Sequence, residues 1–414
     1  MSQSEKEGAA GLGPAAEVQN FYDRYPYPPP LDNLEAYSQA WHDPRRRHAD
    51  FHLFWPRRVY REDHSILVAG CGTSQAPKHA LRWPHAQVTG IDFSATSVQH
   101  SEELKRKYTL DNLQLHQLPL ERVGELGQSF DQIVCTGVLH HLADPNAGLR
   151  ALRSVLNPGG AIHLMVYAPY GRRGIYMLQE FCRRVGIAAT DSGIRDLMMV
   201  LKALPSEHPL ASVLREAPDF RNHAALADAL LHPQDRAYSV PQLFDLLGTN
   251  GLKFGRWLRQ AAYSIHCGVM SRIPDALRVA QLSLVDQYAA AELFRGTLMR
   301  HSAIVYRDDP PDTAPPISFG GEEWLGYIPI RVPDTVCLRE RLPAGVVAVL
   351  RNPAAAYADT YLPVNARETR LFEAIDGKRT IAELLGRAAE LDATRSFFER
   401  LWWHDQIVFD ASGR

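Results

Sequence analysis

The chain has 414 residues, 45% of them hydrophobic and 22% charged, with a formal net charge of -2. That length allows two or three domains, while near-neutrality removes the broad basic field that nucleic-acid binding or adhesion to anionic lipid would need. The five cysteines (Cys71, Cys135, Cys182, Cys267, Cys337) never stand as C-x-x-C, and no apolar run is long enough to span a bilayer. Free thiols, no zinc site or other metal site, and a cytoplasmic protein are therefore expected.

In chain order, residues 1–16 are small and polar and read as a disordered tail. Residues 17–60 open with "EVQNFYDRYPYPPPLDNL", where the prolines force a tyrosine-rich extended segment. Residues 61–307 form the main unit. Ile66–Ala69, Gln87–Asp92, "NLQLHQL", Phe130–Leu139 and Ala161–Ala168 read as strands. Gln75–Arg82, Ser94–Tyr108 and Asn146–Leu156 read as helices between them, the last stopped by "NPGG". Apolar strands alternating with helices predict an α/β doubly wound, mostly parallel sheet covered on both faces. Its ligands should lie beyond the carboxyl ends of the strands, near the switch point.

Residues 171–235 lose the strand rhythm and read as a helical insertion. A helix and strand follow over Ser239–Leu258, and His301–Arg307 reads as the last strand of the sheet. "DDPPDTAPP", residues 308–316, is a linker by composition. Residues 317–414 read as a small C-terminal domain of three short helices and a final strand, a winged-helix pattern, with Thr380 and Glu383 as a capping box.

The loop "AGCGTSQ" (Ala69–Gln75) holds two glycines around Cys71. A dinucleotide fingerprint would need glycine at position 75, where Gln75 stands, and a P-loop would need G-K-[ST], which is absent. Asp92 ends the second strand, where an acidic side chain suits the two hydroxyls of a ribose. Ser94 is placed to cap the next helix and leaves Asp92 free for that role.

Four segments then carry a family resemblance: "ILVAGCGTS", "GIDFS", "FDQIVCTGVLHHLADPNAGLRALRSVLNPGG" and "AIHLMVYA". In this order they resemble the motifs of class I S-adenosylmethionine-dependent methyltransferases, densely over residues 60–170 and again over 236–307. The resemblance implies a seven-stranded Rossmann-like sheet and S-adenosylmethionine as cofactor. It implies that Gly70, Cys71 and Gly72 line the methionine moiety with backbone atoms. Asp92 would bind the ribose, Phe93 would pack beside the adenine, and Gln117 and Leu118 would hold the adenine edge. Gly137 and Val138 would floor the site. Ala69 and Ser74 depart from the pattern, which usually has an acid and a third glycine there. A catalytically silent sensor of the nucleoside, or an interaction protein, is the alternative reading.

Methyl transfer from a sulfonium is an in-line displacement, and alignment supplies much of the rate. A base is needed only for a nucleophile that carries a proton. His140, with His141 beside it, is the candidate base; Tyr22 and Tyr167 are further catalytic candidates. Tyr25, Arg172, His232, Arg236 and Tyr238 are candidates for acceptor contact. Arg172, with Arg173, would take an anionic group. The tyrosines before the first strand would act as a lid.

The C-terminal domain is similar, loosely, to PqqD-like winged-helix modules, which implies peptide or protein presentation or a homodimer contact. Its balanced charges speak against DNA, and Trp402 and Trp403 read as core. The acceptor expected is a small molecule first and a peptide or protein second.

Overall fold

The computed structural model describes residues 14–216, 222–309, 317–342, 346–385 and 390–413. Before the sheet come α1 (Pro14–Arg24), α2 (Glu35–Trp41) and α3 (Pro44–Phe54). Of the expected tail 1–16, residues 14–16 belong to α1, and 1–13 lie outside the described residues. The segment expected as a lid, residues 17–60, carries most of α1 and, after its prolines, α2 and α3. Asp43 starts α3 by accepting from the Arg45 N–H, and Pro44 fits the first turn because its missing N–H is not needed there.

The central unit runs β1 (Ser65–Ala69), α4 (Gln75–Arg82), β2 (Gln87–Asp92), α5 (Ala95–Tyr108), β3 (Leu113–Gln117), β4 (Phe130–Thr136), α6 (Pro145–Ser154) and β5 (Leu156–Tyr167). The helical insertion supplies α7 (Arg173–Val185), α8 (Asp191–Lys202), α9 (Pro209–Glu216) and α10 (His223–Leu231). Then follow α11 (Val240–Thr249), β6 (Leu252–Trp257), α12 (Ala276–Ala280), α13 (Leu284–Arg295) and β7 (Arg300–Arg307). The seven strands lie in the order β3-β2-β1-β4-β5-β7-β6. All neighbours are parallel except β7, which runs antiparallel to β5 and to β6.

Alternation along each strand covers both faces. Leu67, Ile133, Ile162 and Leu164 enter one core, while Ile66, Val68 and Val134 enter the other. Ser94 caps α5, its hydroxyl accepting from the Ser97 N–H at 3.2 Å. The helix expected over Asn146–Leu156 ends at Ser154. The Phe130 N–H donates to the Val155 carbonyl, and Leu156 pairs with Phe130, so "LNPGG" is drawn into β5.

The C-terminal region contains β8 (Ile328–Arg331), β9 (Val336–Leu338), β10 (Ala348–Arg351), β11 (Leu362–Val364), α14 (Ala366–Ala374), α15 (Ile381–Leu385), α16 (Leu391–Trp403) and β12 (Ile407–Asp410). The three helices and final strand stand where the pattern put them. β12 pairs antiparallel with β8, and β9–β11 form a second small sheet that the sequence did not announce. This region has a core of its own, around Phe372, Phe397, Phe398 and Phe409. It is also docked: Ile330 and Val408 join the core under α3, and the half-buried Arg256 guanidinium meets the buried Asp405 carboxylate at 3.1 Å. Of the expected linker, residues 310–316 lie outside the described residues.

Candidate active site

The chain leaves β3 at one edge and returns to β4 beside β1, so the loops after β1 and β4 face each other at the carboxyl ends of the strands. Gly70 and Gly72 both have left-handed backbones, with φ of +69° and +53°. A Cβ on Gly70 would stand 2.3 Å from Val138 Cγ2, and one on Gly72 would stand 3.2 Å from Pro28 Cδ. Glycine is required here by conformation and by space together. The Gly72 N–H donates to Asp92 Oδ2 at 2.8 Å, and the Ser94 N–H donates to Asp92 Oδ1 at 3.0 Å. Each carboxylate oxygen thus keeps a lone pair for a ligand. Burial pushes the Asp92 carboxyl up to about 6, against the pull of those two N–H donors.

A cavity of about 1580 Å³ opens from this point, lined near Asp92 by Gly70, Gly72, Phe93, Leu118, Gly137 and Val138. Cys71 does not line it. Its thiol is fully buried and pushed up by desolvation, so the side chain belongs to the core under the loop. Gln117 is exposed and donates to the Phe93 carbonyl at 3.3 Å, which places its side chain beside the slot rather than in it. Helix α1 and the segment after it roof this end: Gln19 Nε2 donates to the Phe93 carbonyl at 3.0 Å, and Thr73 Oγ1 donates to the Pro28 carbonyl at 2.9 Å.

Residues 67–162 match the methyltransferase domain family. The match runs from β1 into β5 and so takes in the glycine loop and Asp92. An uncharacterised protein of Synechococcus sp., syc1184_c, is 34% identical over 248 residues, which are 57% of this chain and 58% of the relative. The ubiquinone biosynthesis O-methyltransferase of Bordetella avium is 28% identical over 142 residues, 31% of this chain and 57% of that enzyme. The chain thus spans under two thirds of the length of these curated relatives. Two structures of PKMT2 from Rickettsia typhi share the fold: one at TM-score 0.62 and 15% identity, covering 89% of this chain and 75% of that one. The other, in complex with AdoHcy, gives TM-score 0.55 at 17% identity, covering 87% and 70%.

The far end of the cavity is built by α1, β5 and the helical insertion. Tyr22 donates to Asp228 Oδ1 at 2.9 Å, and Tyr167 approaches Asp228 Oδ2 at 3.5 Å. Burial raises the Asp228 carboxyl, and burial together with Asp228 raises both phenols, so the hydroxyls keep their protons. His141, Asp228 and His232 each bring a potential ligand atom within 4.8 Å of the others.

Several candidates move. His140 is fully enclosed, its ring 3.8 Å from that of Tyr167; His141 is the histidine that lines the cavity. Burial holds His140 well below the usual imidazole range, so it does not titrate as a base would. Arg172 lines the cavity but is committed: it pairs with Asp235 at 3.2 Å and its guanidinium carbon lies 3.4 Å from the Tyr167 ring centre. Tyr25 donates to Asp191 Oδ1 at 3.0 Å and ties α1 to α8. His232 is buried behind the wall, beside Phe21 and Tyr22. Arg236 is exposed away from the lining, and Tyr238 is buried in the core, its backbone N–H on the Tyr167 carbonyl. Asp228 escaped the sequence reading. Its signal was one acid inside "HAALADALL", a helix whose residues 225–230 are all buried. Ala354, Ala356 and Tyr357, from the C-terminal region, also reach the cavity, and nothing in their local sequence says so.

Proposed function

We propose that this protein transfers a methyl group from S-adenosylmethionine to a small-molecule acceptor by in-line displacement. The observation that carries the reading is the Asp92 carboxylate, braced by the Gly72 and Ser94 N–H groups beside two obligatory glycines and open to a large cavity. Two free acceptor positions suit the two hydroxyls of a ribose, and Phe93 and Leu118 give an apolar slot for a base. Gly137 and Val138 would floor the donor, and its sulfonium would face the tyrosine end of the cavity.

The volume exceeds what one drug-sized ligand fills and leaves room for donor and acceptor together. The Tyr22 and Tyr167 hydroxyls, fixed on Asp228, would shape the acceptor end and keep water out. The curated relatives named as O-methyltransferases support an oxygen nucleophile. The appended C-terminal region keeps a peptide or protein acceptor as the second choice, with peptide presentation or a homodimer contact as its role.

Thermal unfolding with S-adenosylmethionine, S-adenosylhomocysteine and NAD in parallel tests the donor. A ligand at a hundredfold its Kd adds about 2.7 kcal/mol to the native state. A shift of several degrees with the two adenosyl ligands and none with NAD is expected. S-adenosylhomocysteine formation from a small-molecule extract tests turnover; binding without turnover would replace the enzyme by a sensor.

A further inference from the structure

One peptide unit stands between two histidines at the acceptor end. The Gln234 carbonyl lies 2.8 Å from His141 Nδ1, and the Gln234 N–H donates to His232 Nδ1 at 3.0 Å. A carbonyl can only accept, so His141 carries its proton on Nδ1 and a lone pair on Nε2. A peptide N–H can only donate, so His232 keeps its lone pair on Nδ1 and its proton on Nε2. Two buried rings, 3.9 Å apart, are thus held in opposite tautomers by the same residue. His232 Nε2 has no hydrogen-bond partner among the described residues.

From this geometry we infer that His141 Nε2 is the general base for a hydroxyl acceptor, with Asp228 as the counter-charge. The inference rests on the methyl-transfer reading. As the acceptor oxygen attacks the methyl carbon, its proton passes to His141 Nε2. The carbon–sulfur bond breaks and its electron pair goes to sulfur, leaving a neutral thioether. The positive charge that was on the sulfonium ends on the His141 imidazolium, beside the Asp228 carboxylate.

The groups around His141 agree with this role. Tyr22 from α1 and Tyr167 from β5 both engage Asp228. His140 and His232 stay neutral, burial holding the latter down to about 2. Arg172 is the nearby cation, and it is matched by Asp235. Asp228 is therefore the acid with charge to spare for an imidazolium. A metal ion on His141, Asp228 and His232 would need a lone pair on His232 Nε2, and the Gln234 N–H places that lone pair on Nδ1 instead.

The test is long-range proton–nitrogen correlation on the full chain labelled with 15N-histidine, assigned with H141Q and H232Q. Nδ1–H in His141 and Nε2–H in His232 are expected; either tautomer reversed overturns the inference. Zinc titrated into the same sample should leave both signals in place, and site-specific uptake there would overturn it in favour of a metal site. In the extract assay H141Q should lower turnover by about 10²–10⁴-fold. It should leave S-adenosylhomocysteine affinity unchanged, which a structural role would not do. Undiminished turnover in H141Q would sink the proposal. If H141Q fails to fold, His141→Asn takes its place. A wild-type chain that binds no S-adenosylhomocysteine would remove the methyl-transfer reading instead.

Discussion

The Gly72 N–H and the Asp92 carboxylate meet at 2.8 Å, both buried, across the gap between the first and second strands. This bond makes the glycine loop and the acid one device: the backbone that would cradle a ligand also orients the carboxylate that would hold it. Substituting Asp92 by Ala should weaken S-adenosylhomocysteine binding by about 1.5–3 kcal/mol, the worth of charge-assisted hydrogen bonds. Calorimetry on the folded variant measures it, and unchanged affinity would remove Asp92 from the site.

The same carboxyl predicts a pH dependence. Burial raises it to about 6 from an ordinary 3.8. The folded state therefore binds the proton more tightly than the unfolded state. The stability it contributes is full below about pH 4 and is lost as pH rises towards 6. Ligand binding runs the other way, because ribose hydroxyls donate to the ionised form. Affinity should rise through pH 6 in the wild type and stay flat over that range in Asp92→Asn.

Gly70→Ala puts a Cβ at φ +69° and 2.3 Å from Val138 Cγ2. Strain of about 1–3 kcal/mol is expected, with loss of adenosyl-ligand binding. Val138→Ala in the same chain should recover part of the melting temperature, since it relieves the collision and leaves the backbone strain.

Tyr22→Phe removes one donor from Asp228 and leaves the carboxylate leaning on Tyr167 alone across 3.5 Å. A stability loss of about 1–3 kcal/mol is expected from the buried acceptor left short of a partner. Denaturant titration gives that number. Turnover should fall further than S-adenosylhomocysteine affinity does, because Asp228 faces the acceptor end.

Arg256 and Asp405 tie the C-terminal region to the sheet, and Asp405 also accepts from the Gln260 and Ala261 N–H groups. Arg256→Met strands a buried carboxylate and should cost about 3–5 kcal/mol. Adding Asp405→Asn should restore part of it, since asparagine tolerates the left-handed backbone of residue 405. Limited proteolysis of the C-terminal region should quicken in the single variant.

Local signals were enough for the parallel half of the sheet, the helical insertion and the glycine loop beside Asp92. Apolar runs of strand length, the Ser94 cap, the glycine pair and an acid at the end of β2 are properties of short stretches, and each short stretch sits in one or two elements. The acceptor end follows another logic. Asp228 meets Tyr22 across 206 positions of sequence, and His141 meets the Gln234 carbonyl across 93, only because α1 and the insertion fold onto the sheet. The same packing spends residues that looked free: Arg172 on Asp235, Tyr25 on Asp191, His140 on an enclosed stack. A residue type says what a side chain can bind. Its partner, its exposure and its tautomer depend on neighbours far away in sequence, and the tertiary structure alone supplies those.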